Sequence, residues 1–193
     1  MLAGTSDNNQ HVGGSGADRL SGNGGADVVY GGSGNDAIVL NASNLAALGR
    51  STGNEAQNIL RVDGGSGMDS IVLQGAGLSL DLTAAAAIAA VRNIEIVNIS
   101  GSGANRVLLS LTSVLRLGRA DVFTSRNTTG LAAHVGKRQL MLQGGVDDVL
   151  QLSDLADWHN TGSTVVYGPR TYVVWEHNTV AAQLLVQVGM LVE

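Results

Sequence analysis

GGSGADRLS (13–21), GNGGADVVY (22–30) and GGSGNDAIV (31–39) follow one another without a gap, and GGSGMDSIV returns alone at 64–72. They share the pattern G-G-x-G-x-D-x-U-x, where U is a bulky apolar residue and Asn23 takes position 2 of the second copy. Glycine at positions 1, 2 and 4 allows the positive φ of a tight turn and bares the backbone carbonyls. Aspartate at position 6 adds a carboxylate, and positions 7 to 9 make a short strand. Its U residue (Leu20, Val29, Ile38, Ile71) is expected to point inward. A fixed short period of this kind is the signature of stacked coils. Two repeats close one coil of 18 residues, so loops i and i+2 lie on the same side, about 4.8 Å apart.

Outside the repeats the chain alternates differently. Residues 4–12 (GTSDNNQHV) hold the same register but have lost most of the signature, and read as a worn edge repeat. Residues 40–63 form an excursion containing a short helix, SNLAALGR, with Ser43 as its N-cap and Gly49 as its stop; NILRV (58–62) returns as a strand. Beyond Gly77 come short strands: LSLDL, IEIVNIS, RVLLSL, RQLMLQ, DVLQL, TVVY, TYVVW and QLLVQV. Two helical decorations interrupt them, TAAAAIAAVRN capped by Thr83 and TSVLRLG capped by Thr112 and ended by Gly118. QGGVDDVLQL reads as a decayed repeat with Asp148 in the acidic position and Leu150 in the apolar one. The expected class is all-β: a parallel β-roll or β-solenoid over 1–77, then a β-rich C-terminal capping domain with a few short helices over 78–193.

Composition supports a packed core of modest size. The 193 residues include 27 glycines, about twice the usual share of roughly 7%, but one proline and 3% aromatic residues. The core must therefore come from Val, Leu, Ile and Ala, and apolar content is too high for a disordered chain. Residues 1–77 hold seven Asp/Glu against three Lys/Arg, whereas 78–193 hold nine against eight. Most of the net charge of −5 thus sits with the repeats. No basic stripe interleaved with aromatics points to nucleic acid. Without cysteine there is no disulfide framework and no thiolate metal site. MLAGTSDNNQ has neither the charged nor the apolar region of a signal peptide, and the apolar stretches at 84–91 and 180–192 are too short to span a bilayer. The expectation is an intracellular protein, or one exported by an address that is not N-terminal.

Stacking places Asp18 near Asp36 with bare carbonyls between them. An all-oxygen cage of that kind suits Ca²⁺, which takes six to eight oxygens, better than Zn²⁺. Without a cation, like-charged carboxylates and the entropy of glycine both oppose folding.

These repeats resemble the RTX nonapeptide of proteins exported by bacterial type I secretion, a family that folds as a calcium-filled parallel β-roll. The resemblance implies the ligands. One loop offers the carbonyls of positions 2 and 4 with its Asp; the loop 18 residues on offers those of positions 1 and 3 with its own. A first ion would take Gly14, Gly16 and Asp18 with Gly31, Ser33 and Asp36. A second would use Gly22, Gly24 and Asp27 with the worn loop, where Asn9 replaces Asp and weakens the site. If NILRV is the return strand, a third would take Gly32, Gly34 and Asp36 with Gly64, Ser66 and Asp69. Two full sites then share Asp36.

The order of repeats, SNLAAL excursion, VDGGSGMDSIVL and RNIEIVNISGSGANRVLLSLTSVLRL also resembles the C-terminal ends of large RTX surface adhesins. This implies a non-enzymatic, calcium-folded module of a secreted or surface protein of a Gram-negative bacterium. It would support type I secretion, extracellular folding and adhesion or biofilm formation, with calcium, the secretion machinery and a surface ligand as partners. Two alternatives remain: the secretion end of an RTX toxin, protease or lipase, or a module that binds sugar or a host surface; Trp158, Trp175, Tyr167 and Tyr172 read first as bulk of the terminal core and second as a sugar-stacking platform.

Other readings are weaker. A flexible linker does not place Asp and an aliphatic residue at fixed offsets. GSGADR, GNGGAD and GSGNDA lack the third glycine of a dinucleotide loop. Asp147 and Asp148 read as solvated turn carboxylates, and Asp63 as no clear ligand. His11, His134, His159 and His177 show no paired ligand spacing, and no G-x-S-x-G or H-E-x-x-H is present.

Overall fold

Each nonapeptide lays down one short strand and then turns, so successive strands fall into opposite sheets. The computed structural model describes residues 1–48 and 60–193. The expected helix stop at Gly49 and the first two residues of NILRV lie outside that description. One sheet collects β1 (Leu2–Ala3), β3 (Arg19–Ser21), β5 (Ala37–Leu40), β7 (Ser70–Leu73) and β10 (Ile96–Asn98) in parallel, and continues through β13 (Arg138–Gln143) and β17 (Ala182–Gln187). The second holds β2 (Gln10–Ser15), β4 (Val28–Ser33), β6 (Arg61–Ser66) and β9 (Val91–Arg92), also parallel. A third parallel sheet joins β8 (Ser79–Asp81), β11 (Arg106–Leu109), β14 (Val149–Leu152) and β18 (Leu191–Val192).

Register is held by columns of buried apolar residues, because a one-residue slip would turn every U side chain to solvent. Leu20, Ile38, Ile71, Val97, Leu142 and Val186 stand in line, none more than 2% exposed. Across the core, His11, Val29, Val62 and Val91 form the facing column. His11 takes the U position of the worn repeat and is itself buried. Leu80, Val107, Leu150 and Val192 line the third sheet.

The chain is strand-rich with few helices, and the large sheet is mixed. After β17 it turns antiparallel through β16 (Arg170–His177) and β15 (Trp158–Tyr167), and β12 (Arg119–Ala120) pairs antiparallel with β13. One uniform parallel coil therefore does not describe the molecule from end to end. The sheet and core run straight through the 77/78 boundary, since β7 pairs with β10. On the outer face of that sheet a second core gathers Phe123, Met141, Tyr172 and Leu185, all fully buried. Tyr167 meets Phe123 edge-on at 5.6 Å, and its hydroxyl lies 2.9 Å from the sulfur of Met68 in the lone repeat. Of the late aromatic residues, Tyr172 and Trp158 are buried.

The helices start later or earlier than their sequences imply. α1 (Ala42–Leu48) is capped by Asn41, whose Oδ1 accepts from the backbone of Ser43 and Asn44, while Asn44 Oδ1 accepts from Asn41. Ser43 lies inside the first turn, because the asparagine pair satisfies the orphan donors from both sides. α2 (Ala85–Ala90) has no side-chain cap; Thr83 is drawn instead to Asp81, donating through its backbone and hydroxyl. α3 (Leu111–Leu117) is capped by Ser110 in a reciprocal pair with Ser113, not by Thr112, and Gly118 ends it as expected. Among the described residues no helix is long and apolar enough to cross a membrane.

Candidate metal centre

The loops 13–18, 31–36 and 64–69 stack on one side of the molecule, held in line by the pairing of Gly14 with Gly32 and Gly32 with Gly65. At positions 2 and 4 the backbone is left-handed: φ is 102° at Gly14, 97° at Gly16, 111° at Gly32, 117° at Gly34, 95° at Gly65 and 136° at Gly67. Close approach excludes side chains as well. A Cβ on Gly31 would run into the carbonyl oxygen of Gly64 and lie 2.5 Å from Oδ2 of Asp36. The carbonyls of Gly14 and Gly16 press against Gly32 and Gly34, and those of Gly32 and Gly34 press against Gly65 and Gly67.

Between these loops runs a carboxylate ladder. The backbone N–H of Asp18 donates to Oδ1 of Asp36 at 2.8 Å, and that of Asp36 donates to Oδ1 of Asp69 at 2.8 Å. The next rung is Asp69 N–H to Oε2 of Glu95 at 2.9 Å. One oxygen each of Asp36, Asp69 and Glu95 is thus fixed by backbone. Oδ2 of Asp18, Asp36 and Asp69 is buried with no hydrogen-bond partner. A buried carboxylate oxygen without a donor is strongly unfavourable unless a cation meets it. Burial accordingly pushes the Asp69 carboxyl up from the ordinary range, helped by the neighbouring Asp36 charge and opposed by the backbone donor and Arg119.

Every residue expected at the first and the Asp69-containing site is therefore brought to one row: Gly14, Gly16, Asp18, Gly31, Ser33 and Asp36, then Gly32, Gly34, Asp36, Gly64, Ser66 and Asp69. The Ser33 and Ser66 carbonyls accept from the N–H groups of Gly16 and Gly34 at 2.8 Å. Among the described residues no group of three or more His, Asp or Glu gathers, so side chains alone build no metal site. Two carboxylates and several carbonyls per gap are a donor set of hard oxygens, which fits Ca²⁺.

The opposite row behaves differently. Asp27 is fully buried, and its Oδ1 accepts from Asn9 N–H at 2.8 Å, as the ladder requires. Its Oδ2, however, accepts from Nδ2 of Asn44 at 2.9 Å, and the same amide nitrogen donates to the Gly25 carbonyl at 3.2 Å. Both oxygens of Asp27 are satisfied by protein. Burial still raises its carboxyl, against the pull of these donors and of His11. Asn9 turns its Oδ1 back to the N–H of Thr5 at 2.6 Å. Gly22 and Gly24 thus flank a carboxylate that lacks the orphaned oxygen of the other row.

A third row repeats the device without a carboxylate pair. Asp148 is buried rather than solvated; its Oδ1 accepts from Asn105 N–H at 2.8 Å and its Oδ2 from Gly145 N–H at 2.7 Å. Asn105 occupies the acidic position of SGSGANRVL, and its Nδ2 donates to the carbonyls of Gly75 and Ile99. Asp63, whose role the sequence left open, pairs with Arg92 at 2.8 Å and accepts from Asn93.

Sequence reasoning missed Glu95, Asn44, Asn105 and Arg119. Glu95 and Asn105 had a legible signal, an acid or amide directly before a short apolar strand. Asn44 and Arg119 reach the ladder from separate elements and carried none.

Comparison with known proteins bears on the tandem repeats of both rows. Residues 3–38 match the RTX calcium-binding nonapeptide repeat, in four copies. The match begins one residue ahead of the worn repeat and so includes the loop in which Asn9 replaces Asp. It stops short of the lone repeat at 64–72, which joins the RTX row only through the fold. No curated protein and no solved structure matches the chain.

Proposed function

We propose that this chain is a calcium-folded, non-enzymatic module of a secreted RTX protein, and that its RTX repeats form a β-roll loaded from one side. The observation that carries this reading is the row of three orphaned oxygens, Oδ2 of Asp18, Asp36 and Asp69, among glycine carbonyls. Calcium would supply there the positive charge that the buried carboxylates lack. Gly14, Gly16, Asp18, Gly31, Ser33 and Asp36 would hold one ion; Gly32, Gly34, Asp36, Gly64, Ser66 and Asp69 would hold a second. The chain's own part is to fix one oxygen of Asp36 and of Asp69 through the backbone and to exclude side chains from the gap.

Coupling follows from mass action. An ion that binds only the stacked loops adds its binding free energy to folding. In a low-calcium compartment the repeats stay loose; at millimolar calcium they wind. RTX repeats are typical of secreted proteins of Gram-negative bacteria, and type I export followed by extracellular folding suits this design. The adhesin reading rests on the resemblance carried by the phrase at residues 94–111. Its Glu95 and Asn105 take ladder positions directly after the repeats, so repeat region and C-terminal strands are built as one stack.

The test is a calcium titration of the metal-free chain followed by circular dichroism, with chelator reversal. A gain of β signal and of thermal stability at millimolar calcium, lost on chelation, is expected. A spectrum and melting curve indifferent to calcium would overturn the reading.

A further inference from the structure

The carboxylate ladder does not stop at Asp69, yet the cages do. Above the lone repeat lies a third gap between loops. Its floor offers Gly65, Gly67 and the orphaned Oδ2 of Asp69, the same set that Gly32, Gly34 and Asp36 offer one coil below. Its roof is abbreviated. Asp63 pairs with Arg92 and Ser70 pairs with Ile96, so residues 93–95 must cross a distance that 64–69 cross in the coil beneath. The shortened loop brings the Asn93 carbonyl over Gly64 and keeps an acid, Glu95, on the ladder, but it has no glycine pair and no counterpart of Ser66.

Into this gap reaches Arg119, from the short strand after α3. Its Nε lies 2.8 Å from Oε1 of Glu95, whose side chain is completely buried, and its Nη2 donates to the Gly67 carbonyl. Gly67 stands at position 4 of its loop, as Gly16 and Gly34 do in the gaps below. The other row ends in the same way with a neutral group. Asn44 Nδ2 bridges the position-4 carbonyl of Gly25 and Oδ2 of Asp27. In both rows a side-chain N–H donor from outside the repeats therefore closes on the position-4 carbonyl of the last RTX loop and on a carboxylate of the ladder, Asp27 in one row and Glu95 in the other.

We propose that Arg119 is a built-in cation that takes the third gap of the calcium row and so terminates the ion stack. This rests on the calcium reading above. A guanidinium sets a permanent positive charge beside the buried Glu95 carboxylate and donates to the Gly67 carbonyl, and it does so at any calcium concentration. The C-terminal end of the row is then closed before any ion arrives, which leaves the two gaps below as the calcium-dependent part of the fold.

The test counts calcium by equilibrium dialysis and titration calorimetry on the full chain and on Arg119→Ala. The variant is expected to bind one ion more than the wild type, and its stability is expected to depend more steeply on calcium. Adding Glu95→Gln, which removes a carboxylate from the gap, should abolish the extra ion. An unchanged count in Arg119→Ala overturns the inference. If that variant is too unstable to load, Arg119→Gln keeps an N–H for Gly67 while removing the charge; the same extra ion is expected, and its absence is equally fatal. A wild type that binds no calcium would instead refute the underlying reading, so the two failures are distinct.

Discussion

The backbone N–H of Asp36 donates to Oδ1 of Asp69 at 2.8 Å, across 33 residues of sequence and one coil of structure. Asp36 also accepts from Asp18 N–H, so it belongs to both gaps of the row. Its own Oδ2 has no protein donor. Asp36→Ala should therefore remove more bound calcium than any other single change, whereas Asp27→Ala should remove none. Ion counts on the two variants check this; equal losses would mean that both rows load.

Asn44 tests the second row from the other side. Its amide holds Asp27 Oδ2, a buried charged acceptor. Losing that donor should destabilise the protein by about 1–3 kcal/mol, and by the same amount with and without calcium. Denaturant unfolding of Asn44→Ala in both conditions measures it. A loss that vanishes when calcium is added would show that an ion enters beside Asp27.

Glycine substitutions separate strain from site geometry. Gly34 has a φ of 117°, and a Cβ there would strike the Gly16 carbonyl within the first gap. Gly162 has a φ of 74° in open space. Gly34→Ala should lose calcium affinity and more than the roughly 1–3 kcal/mol of backbone strain. Gly162→Ala should show strain alone, with calcium affinity intact. Calorimetry on both variants distinguishes them.

The pH dependence has a definite sign. Burial raises the carboxyls of Asp69 and Glu95 in the metal-free fold. The folded state then keeps protons that the unfolded chain has released above its ordinary carboxylate pKa of about 4. Their contribution is favourable below that value and declines as pH rises through the raised folded values. Metal-free protein should lose stability from about pH 4 upward, and calcium, which favours the ionised carboxylates, should remove the decline. Urea midpoints across this range measure it; parallel curves with and without calcium would contradict the assignment.

Much of this was legible in the sequence because the nonapeptide constrains backbone and side chain together. Leu20 and Ile38 face inward, and the loops holding Asp18 and Asp36 fall in one row, because the period of nine leaves no other register; Ile71 and Asp69 join them through the strand that returns from the excursion. Local periodicity could not show what long-range packing adds. Asn44 sits in an ordinary helix turn, and only the fold carries it to Asp27. Arg119 lies 50 residues from its Asp69 neighbour in a segment with no repeat rhythm. The Asp27 row, which Asn9 already sets apart in the sequence, differs further for the same reason, because Asn44 arrives from outside it. The helix caps at Asn41 and Ser110 won over Ser43 and Thr112 through reciprocal pairs three residues on, a signal weaker in sequence than a lone Ser or Thr.

The most direct measurement is the calcium stoichiometry of the metal-free chain, taken together with the change in β signal on loading. Two ions per chain, bound as β structure and stability rise and both released by chelator, are predicted. No binding at millimolar calcium, or binding that leaves spectrum and stability unchanged, would contradict calcium-coupled folding.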